Sequence, residues 1–94
     1  MVEYEDVLKA VIEREMEIIG RSLALRLADD TEGLNIDVSI SVEDVGESGK
    51  EILEKLVEKY EDASGPVAAA IIARAISDAG GSELDLPEKI KEKL

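Results

Sequence analysis

The segment Gly65–Gly81, GPVAAAIIARAISDAGG, decides the predicted fold. Pro66 lies just inside its start and a pair of glycines follows its end, which is typical of a complete helix. At 3.6 residues per turn, its apolar side chains cover nearly the whole circumference and leave a narrow polar strip. A helix of this kind is normally buried on all sides. The sequence therefore predicts a central alanine-rich helix with the other segments packed around it.

Length and composition predict one domain, residues 1–94, with an aliphatic core. Hydrophobic residues make up 45% of the chain and aromatic residues only 2%. The formal net charge is −12, from 23 acidic and 11 basic residues. Such a charge repels phosphate backbones and anionic membranes, so we expect neither nucleic acid nor membrane as a partner. A basic protein surface or a cation fits this charge better.

The residue types of the chain also indicate the cellular compartment. The chain has no Cys, which excludes a disulfide framework and thiolate chemistry. Neither a signal peptide nor an apolar segment of about 20 residues is evident, so we expect a cytoplasmic protein. The abundance of Lys, Glu and Ile, without Cys or Trp, gives a thermophile-like composition.

The N-terminal third, from Val2 to about Asp30, has one long helical pattern that ends at Gly33. Its small residues Gly20, Ala24 and Ala28 form a ridge on which a second helix can pack closely. An unbroken helix would be about 40 Å long, which exceeds the width of a compact domain of this size. Either the helix breaks near Gly20 or it projects and packs against another molecule. The sequence leaves both alternatives open.

Leu34–Val42 changes to strict alternation of apolar and polar residues over nine positions, which predicts a β-strand with one buried face. No second alternating segment is evident to pair with it, and unpaired backbone groups cannot be buried. One solution is a kink near Ser39 that gives two short paired strands within the chain. The solution we favour is antiparallel pairing with the same strand of a second copy, because no Gly, Pro or Asn lies between Ile36 and Val42.

The remaining segments are predicted to be helical. Ser48 and Glu51 form a capping-box pattern that begins a helix running to about Asp62. A short connection at Gly65 then favours an antiparallel pair with the alanine-rich helix. Pro87 begins a short terminal helix. The predicted fold class is α+β and mostly helical: a long N-terminal helix, one strand or short strand pair, a helix hairpin with the alanine-rich helix at the centre, and a short C-terminal helix.

One segment resembles a phosphate-binding loop in outline, because a strand, a loop with Gly49-Lys50 and a helix follow one another. The pattern GxxxxGK[ST] needs Gly where Asp44 stands and Ser or Thr where Glu51 stands. The segment is therefore interpreted as a capped helix start.

Polar residues on an apolar helix face are candidates for an interface. Glu15 and Arg26 both project from the apolar face of the first helix, about 16 Å apart along its axis. They could meet across an antiparallel dimer; alternatively, Arg26 extends to solvent near the helix end and Glu15 lies at an exposed margin. The candidate dimer-interface residues are Ile36, Val38, Ile40, Val42, Glu15 and Arg26.

Acidic residues around Gly33 are the weak candidates for a metal site: Asp29, Asp30, Glu32 and Asp37. Clustered carboxylates suit Ca²⁺ or Mg²⁺, but the spacing of an EF-hand loop is absent. A solvated helix end is the better interpretation of these residues. No catalytic, cofactor-binding or metal residue is therefore predicted with a defined role.

The function predicted from the sequence is a small acidic interaction or regulatory protein, homodimeric and not an enzyme. The chain has neither His nor Cys, and no base is evident to activate its Ser or Thr residues. We expect no cofactor. The alternative is a module that binds a small molecule or divalent cation, or an accessory enzyme subunit.

Overall fold

The computed structural model describes residues 2–36, 42–43 and 49–94, and these form a helical bundle. Its elements, listed in chain order, are α1 (Tyr4–Ile19), α2 (Arg21–Asp29), β1 (Asn35–Ile36), β2 (Val42–Glu43), α3 (Gly49–Ser64), α4 (Val67–Asp78) and α5 (Glu88–Lys91). The predicted capping residue Ser48 lies outside the described residues. At the start of α1, the Glu3 N–H donates to the Asp6 carboxylate at 3.0 Å, which supplies a partner for a helix end.

The long N-terminal helical pattern is two helices. Gly20 separates them with a φ of 92° and a ψ of 154°, a conformation that essentially only glycine adopts. The break lets α2 fold back on α1, so the chain stays within 30 × 28 × 20 Å. Ala24 and Ala28 are buried, and the Tyr60 hydroxyl of α3 donates to the Ala24 carbonyl at 2.9 Å.

Four helices alternate in direction. A side chain at Gly49 would meet Tyr4, so α1 and α3 begin at the same end of the bundle. Gly81, just after α4, lies against Val7 near the start of α1, which makes α4 antiparallel to α1. Tyr60 and Ala24 are hydrogen-bonded, and Gly33 lies against Ile52, so α2 is antiparallel to α3. The order is therefore up-down-up-down.

The predicted α+β fold class is wrong. The nine-residue strand is not formed as one element: β1 and β2 pair with each other, Asn35 with Glu43 and Ile36 with Val42. Two residues per strand make no sheet layer, and the described architecture is helix packed on helix. Alternation of side chains reports a period of two but not whether a strand is continuous, which explains the error. Residues 37–41, including Val38 and Ile40, lie outside the described residues.

The alanine-rich helix is not the enclosed centre that its composition predicts. Ile72, Ile76 and four of its alanines are buried, but Val67 and Ala70 are exposed. The helix in contact with most other elements is α1, which packs on α2, α3, α4 and β2. Four short helices in a bundle each keep one face in solvent, and alanine tolerates that position because it has little apolar area to lose.

Candidate functional site

A row of glutamates follows the outer face of α3. Glu51, Glu54 and Glu58 are exposed and Glu61 is half-buried; we call these four residues the glutamate row. Their spacing of three, four and three residues places them within about 80° of the helix circumference. The opposite face of α3 carries the buried side chains Ile52, Leu53, Leu56, Val57 and Tyr60. The same periodicity that builds the core therefore aligns the carboxylates in solvent.

The glutamate row already binds one cation of its own chain. Lys89 of α5 donates from Nζ to Oε1 of Glu61 at 2.9 Å. This hydrogen bond and the charge of Glu61 raise the pKa of Lys89, and the charges of Glu58 and Glu54 raise it further. Several carboxylates therefore act together on a single ammonium group at the surface.

A second group of charges lies where the segment after α2 meets α3. Asp30, Glu32, Lys55, Glu58, Lys59 and Asp62 line a shallow depression there. Lys55 Nζ is 4.0 Å from Glu32 Oε2, a weak contact between exposed groups. This depression extends the acidic surface beyond the glutamate row.

The predicted metal candidates do not form a described site. Asp29, Asp30 and Glu32 are exposed, and Asp37 lies outside the described residues. Within residues 2–36, 42–43 and 49–94, no three Asp or Glu side chains come together as metal ligands. A divalent cation needs several oxygen ligands at once. The acids around Gly33 are therefore spread over a surface.

The predicted interface pair Glu15 and Arg26 is separated by the fold. Glu15 is 0% exposed in the interior of the bundle, while Arg26 is exposed on α2. Within residues 2–36, 42–43 and 49–94, neither carboxylate oxygen of Glu15 has a hydrogen-bond partner. Burial raises the pKa of Glu15, since the charged form loses its hydration. Burial, together with the charge of Glu15, also raises the pKa of Tyr60.

Lys50, considered above as a phosphate-loop lysine, has an acidic partner. Its Nζ lies 3.4 Å from the Asp85 carboxylate, which also pairs with Lys91 at 3.3 Å. These hydrogen bonds, first that of Lys91 and then that of Lys50, lower the pKa of Asp85. The contacts fix the start of α3 to the segment before α5 and leave Lys50 paired with a carboxylate.

Sequence reasoning missed the contacts made across the fold. Lys50–Asp85 and Lys89–Glu61 join residues that are 35 and 28 positions apart. No periodicity within a single segment reports such pairs. The sequence carries one signal for the glutamate row: the spacing of Glu51, Glu54 and Glu58, which places them on one side of a helix.

Comparisons with known proteins give no guide to function. The sequence matches no protein-family model, and searches of curated proteins and of solved structures found no significant match. In the part of the chain that the structure describes, no helix is both long and apolar enough to cross a membrane. The function is therefore argued from the surface and the interior of the bundle.

Proposed function

We propose that the protein is a small non-enzymatic interaction protein that binds a basic surface of another protein through the glutamate row on α3. It acts as a homodimer in the cytoplasm. The observation that supports the proposal is the alignment of Glu51, Glu54, Glu58 and Glu61, with Lys89 held at one end. A partner that offers Lys or Arg at similar spacing would extend the contact that Lys89 makes within the chain.

The charge of the whole molecule supports the same class of partner. A net charge of −12 attracts a basic protein from a distance and raises the rate of encounter. Among the described residues, no three carboxylates converge as metal ligands would, which suits several separate contacts with a partner surface. Exposed pairs are individually weak, so a row of them is needed for useful affinity.

The residue types of the chain support a function without catalysis. The chain contains no His and no Cys. The described carboxyl with a raised pKa, Glu15, is fully buried, so it has no route to a substrate from solvent. A general acid or base must come within hydrogen-bond reach of the reacting group. The proposed cytoplasmic location is compatible with a chain that folds without disulfides.

The test compares two variants of equal net charge. The first replaces Glu51, Glu54 and Glu58 with Gln, and the control replaces the exposed Glu13, Glu83 and Glu92 with Gln. Proteins captured from a lysate of the source cells by the wild type are purified, and each is titrated calorimetrically against all three forms. For the true partner, we expect affinity to fall at least tenfold with the first variant and less than twofold with the control.

Two results would contradict the proposal. If both variants weaken binding equally, the partner senses only net charge and the glutamate row has no special role. If no captured protein binds the purified wild type with a measurable dissociation constant, the chain is not an interaction protein of this kind. Circular dichroism on each variant confirms that the helical content is unchanged.

A further inference from the structure

One end of the bundle collects exposed apolar side chains. Because the helices alternate in direction, the α1–α2 break and the α3–α4 turn lie at the same end. We call this the junction end, formed by residues 18–23 and 63–67. It contains Ile18, Leu23 and Val67, which are 44%, 41% and 57% exposed. Among the described residues, the other large hydrophobic side chain this exposed is Leu94, the last residue, at 50%.

The same end is nearly free of charge. Residues 18–23 and 63–67, which form this end, contain one charged residue, Arg21, although 36% of the chain is charged. Glu17 and Asp62 flank these segments in the sequence. Two copies with a net charge of −12 repel each other through surfaces rich in carboxylates. Among the described residues, the junction end combines few charges with three of the four exposed large hydrophobic side chains, so a second copy meets little repulsion there and can cover apolar area.

The charges around the junction end are self-complementary. A two-fold dimer uses the same surface of both copies. If one residue of the first copy contacts a second residue of its partner, the reverse contact is also made. Arg21 is the one charged residue of the junction end, and the carboxylates of Glu17 and Asp62 flank it; Glu17 also lies 3.8 Å from Arg14 of its own helix. In a two-fold dimer, Arg21 of each copy can therefore approach the flanking carboxylates of the other copy.

We propose that the junction end is the interface through which two copies of this chain associate, with Ile18, Leu23 and Val67 of each copy in contact. Arg21 of each copy faces Glu17 or Asp62 of the other. The inference rests on the homodimer of the proposed function and assigns its surface. This interface replaces the strand pairing between two copies that the sequence predicted, because Ile36 and Val42 pair with each other within one chain.

The size of the molecule sets the strength expected. Stable interfaces take about 800 Å² from each partner. The molecule measures 30 × 28 × 20 Å, so the area of its largest face is only about 800 Å². One end of the bundle has a smaller area than this. We therefore expect a weak dimer, with a dissociation constant between about 10 µM and 1 mM.

The main test is sedimentation equilibrium of the wild type, Val67→Glu and Leu94→Glu from about 10 µM to 1 mM. Both substitutions add one charge at a similarly exposed apolar residue, so their effects on net charge and folding are matched. Val67 is the first residue of α4, where an acidic side chain is compatible with the helix dipole. We expect the dimer to weaken at least tenfold with Val67→Glu and less than twofold with Leu94→Glu.

A charge exchange tests the role of Arg21. Arg21→Glu alone should weaken the dimer. Mixing it with a copy that carries Glu17→Arg and Asp62→Arg should restore association, measured by energy transfer between dyes on the two copies. Failure of the mixture to associate more strongly than Arg21→Glu alone overturns the assigned ion pairs.

Three outcomes overturn the interface itself: a wild type that stays monomeric to about 1 mM, equal weakening by Val67→Glu and Leu94→Glu, or binding of phosphatidylserine vesicles at this end without self-association.

The triple Gln variant of Glu51, Glu54 and Glu58 should dimerise at least as well as the wild type, because it lowers the repulsion between copies. Loss of the dimer and loss of the basic partner are therefore separate results.

Discussion

The two ends of the bundle are closed in different ways. At the end opposite the junction, which we call the closed end, the Tyr4 hydroxyl donates to the Asp85 carbonyl at 2.6 Å. The carboxylate of the same Asp85 pairs with Lys50 and Lys91. At the junction end, the described side chains that reach solvent include Ile18, Leu23 and Val67.

The difference indicates a division between stability and association. Tyr4, Lys50 and Lys91 at the closed end all find their partner, Asp85, within the chain, so these groups gain little from a second molecule. Apolar side chains at the junction end gain free energy only when another surface covers them. Changes at the closed end and in the interior should therefore alter unfolding, while exposed changes at the junction end should alter association.

The largest effect is expected from Gly49→Ala at the closed end. A Cβ at Gly49 would overlap the Cγ and Cβ atoms of Tyr4, so the start of α3 would have to move away from α1. Overpacking of this kind costs about 2–3 kcal/mol of the free energy of unfolding. Urea denaturation followed by circular dichroism measures the loss.

Gly65→Ala at the junction end is the matched control for Gly49→Ala. A Cβ at Gly65 meets nothing within 4 Å, and the cost comes only from its φ of 86°. That strain is worth about 1 kcal/mol. Equal losses for the two variants would show that Tyr4 does not pack on Gly49 and that the closed end is as open as the junction end.

Glu15→Leu should stabilise the protein by about 2 kcal/mol at neutral pH, because it removes a buried carboxyl that has no hydrogen-bond partner in the described part of the chain. Leu fits a helix as well as Glu and has a similar volume. Thermal and urea unfolding measure the gain. Glu13→Leu, at an exposed position of the same helix, should change stability little. A loss of stability in Glu15→Leu would mean that the carboxyl makes a favourable contact in the folded state.

The effect of Glu15 should depend on pH in a defined direction. Its pKa in the folded protein is raised above the ordinary value of 4.5, so the folded state holds its proton more tightly than the unfolded state. The wild type therefore gains stability relative to Glu15→Gln as pH falls from the raised pKa to about 4.5. The gain is at most about 1.4 kcal/mol per pH unit. A difference between the two proteins that is constant from pH 8 to about pH 4 would contradict this.

Sequence periodicity predicted the helices but not how they are arranged. The 3.6-residue patterns predicted helices over most of α1 to α5. The excessive length of the first pattern left two alternatives open, a break near Gly20 or a helix that projects onto another molecule. Alternation in Leu34–Val42 could not show which backbone groups pair, because pairing depends on where the chain reverses. The sequence also did not predict that α1 contacts the most other elements, because the apolar face of a helix does not determine how many helices pack against it.

The candidate site was predictable only in part, for the same reason. The exposure of Glu51, Glu54 and Glu58 follows from their spacing on one helix. The hydrogen bond of Lys89 with Glu61 depends on the docking of α5, which no local pattern encodes. Glu15 shows the limit most clearly: its place on an apolar face was evident, but only the packed structure shows that it is fully enclosed.

The two tyrosines allow a smaller comparison between the interior and the closed end. Tyr60→Phe removes a buried hydrogen bond to the Ala24 carbonyl, which ties α2 to α3, and should cost about 1 kcal/mol. Tyr4→Phe removes a bond to the Asp85 carbonyl that is exposed to water, and should cost about 0.5 kcal/mol or less. Urea denaturation of both variants measures the order. A larger loss for Tyr4→Phe would place more of the stability at the closed end than the burial of these groups indicates.

The smallest effect concerns the charges on Asp85. Lys91 and Lys50 lower the pKa of Asp85 below its ordinary value of 3.8, because they stabilise the carboxylate. The stabilisation is present above pH 3.8 and is lost as pH falls through the lowered pKa. An NMR titration of the Asp85 carboxyl carbon should give a midpoint below 3.8, and high salt should move it back towards 3.8, since these groups are exposed and screened.

Two double variants separate the ion pairs of Asp85 from the general charge of the molecule. Lys50→Met with Lys91→Met should return the Asp85 midpoint to about 3.8 or above, because the acidic surroundings then act unopposed. Lys9→Met with Lys93→Met makes the same change in net charge at exposed positions and should leave the midpoint low. If both pairs raise it equally, Asp85 responds to the net charge of −12 and not to its neighbours. The closed end would then be held by Tyr4 packed on Gly49, and its ion pairs would contribute nothing to the difference between the two ends.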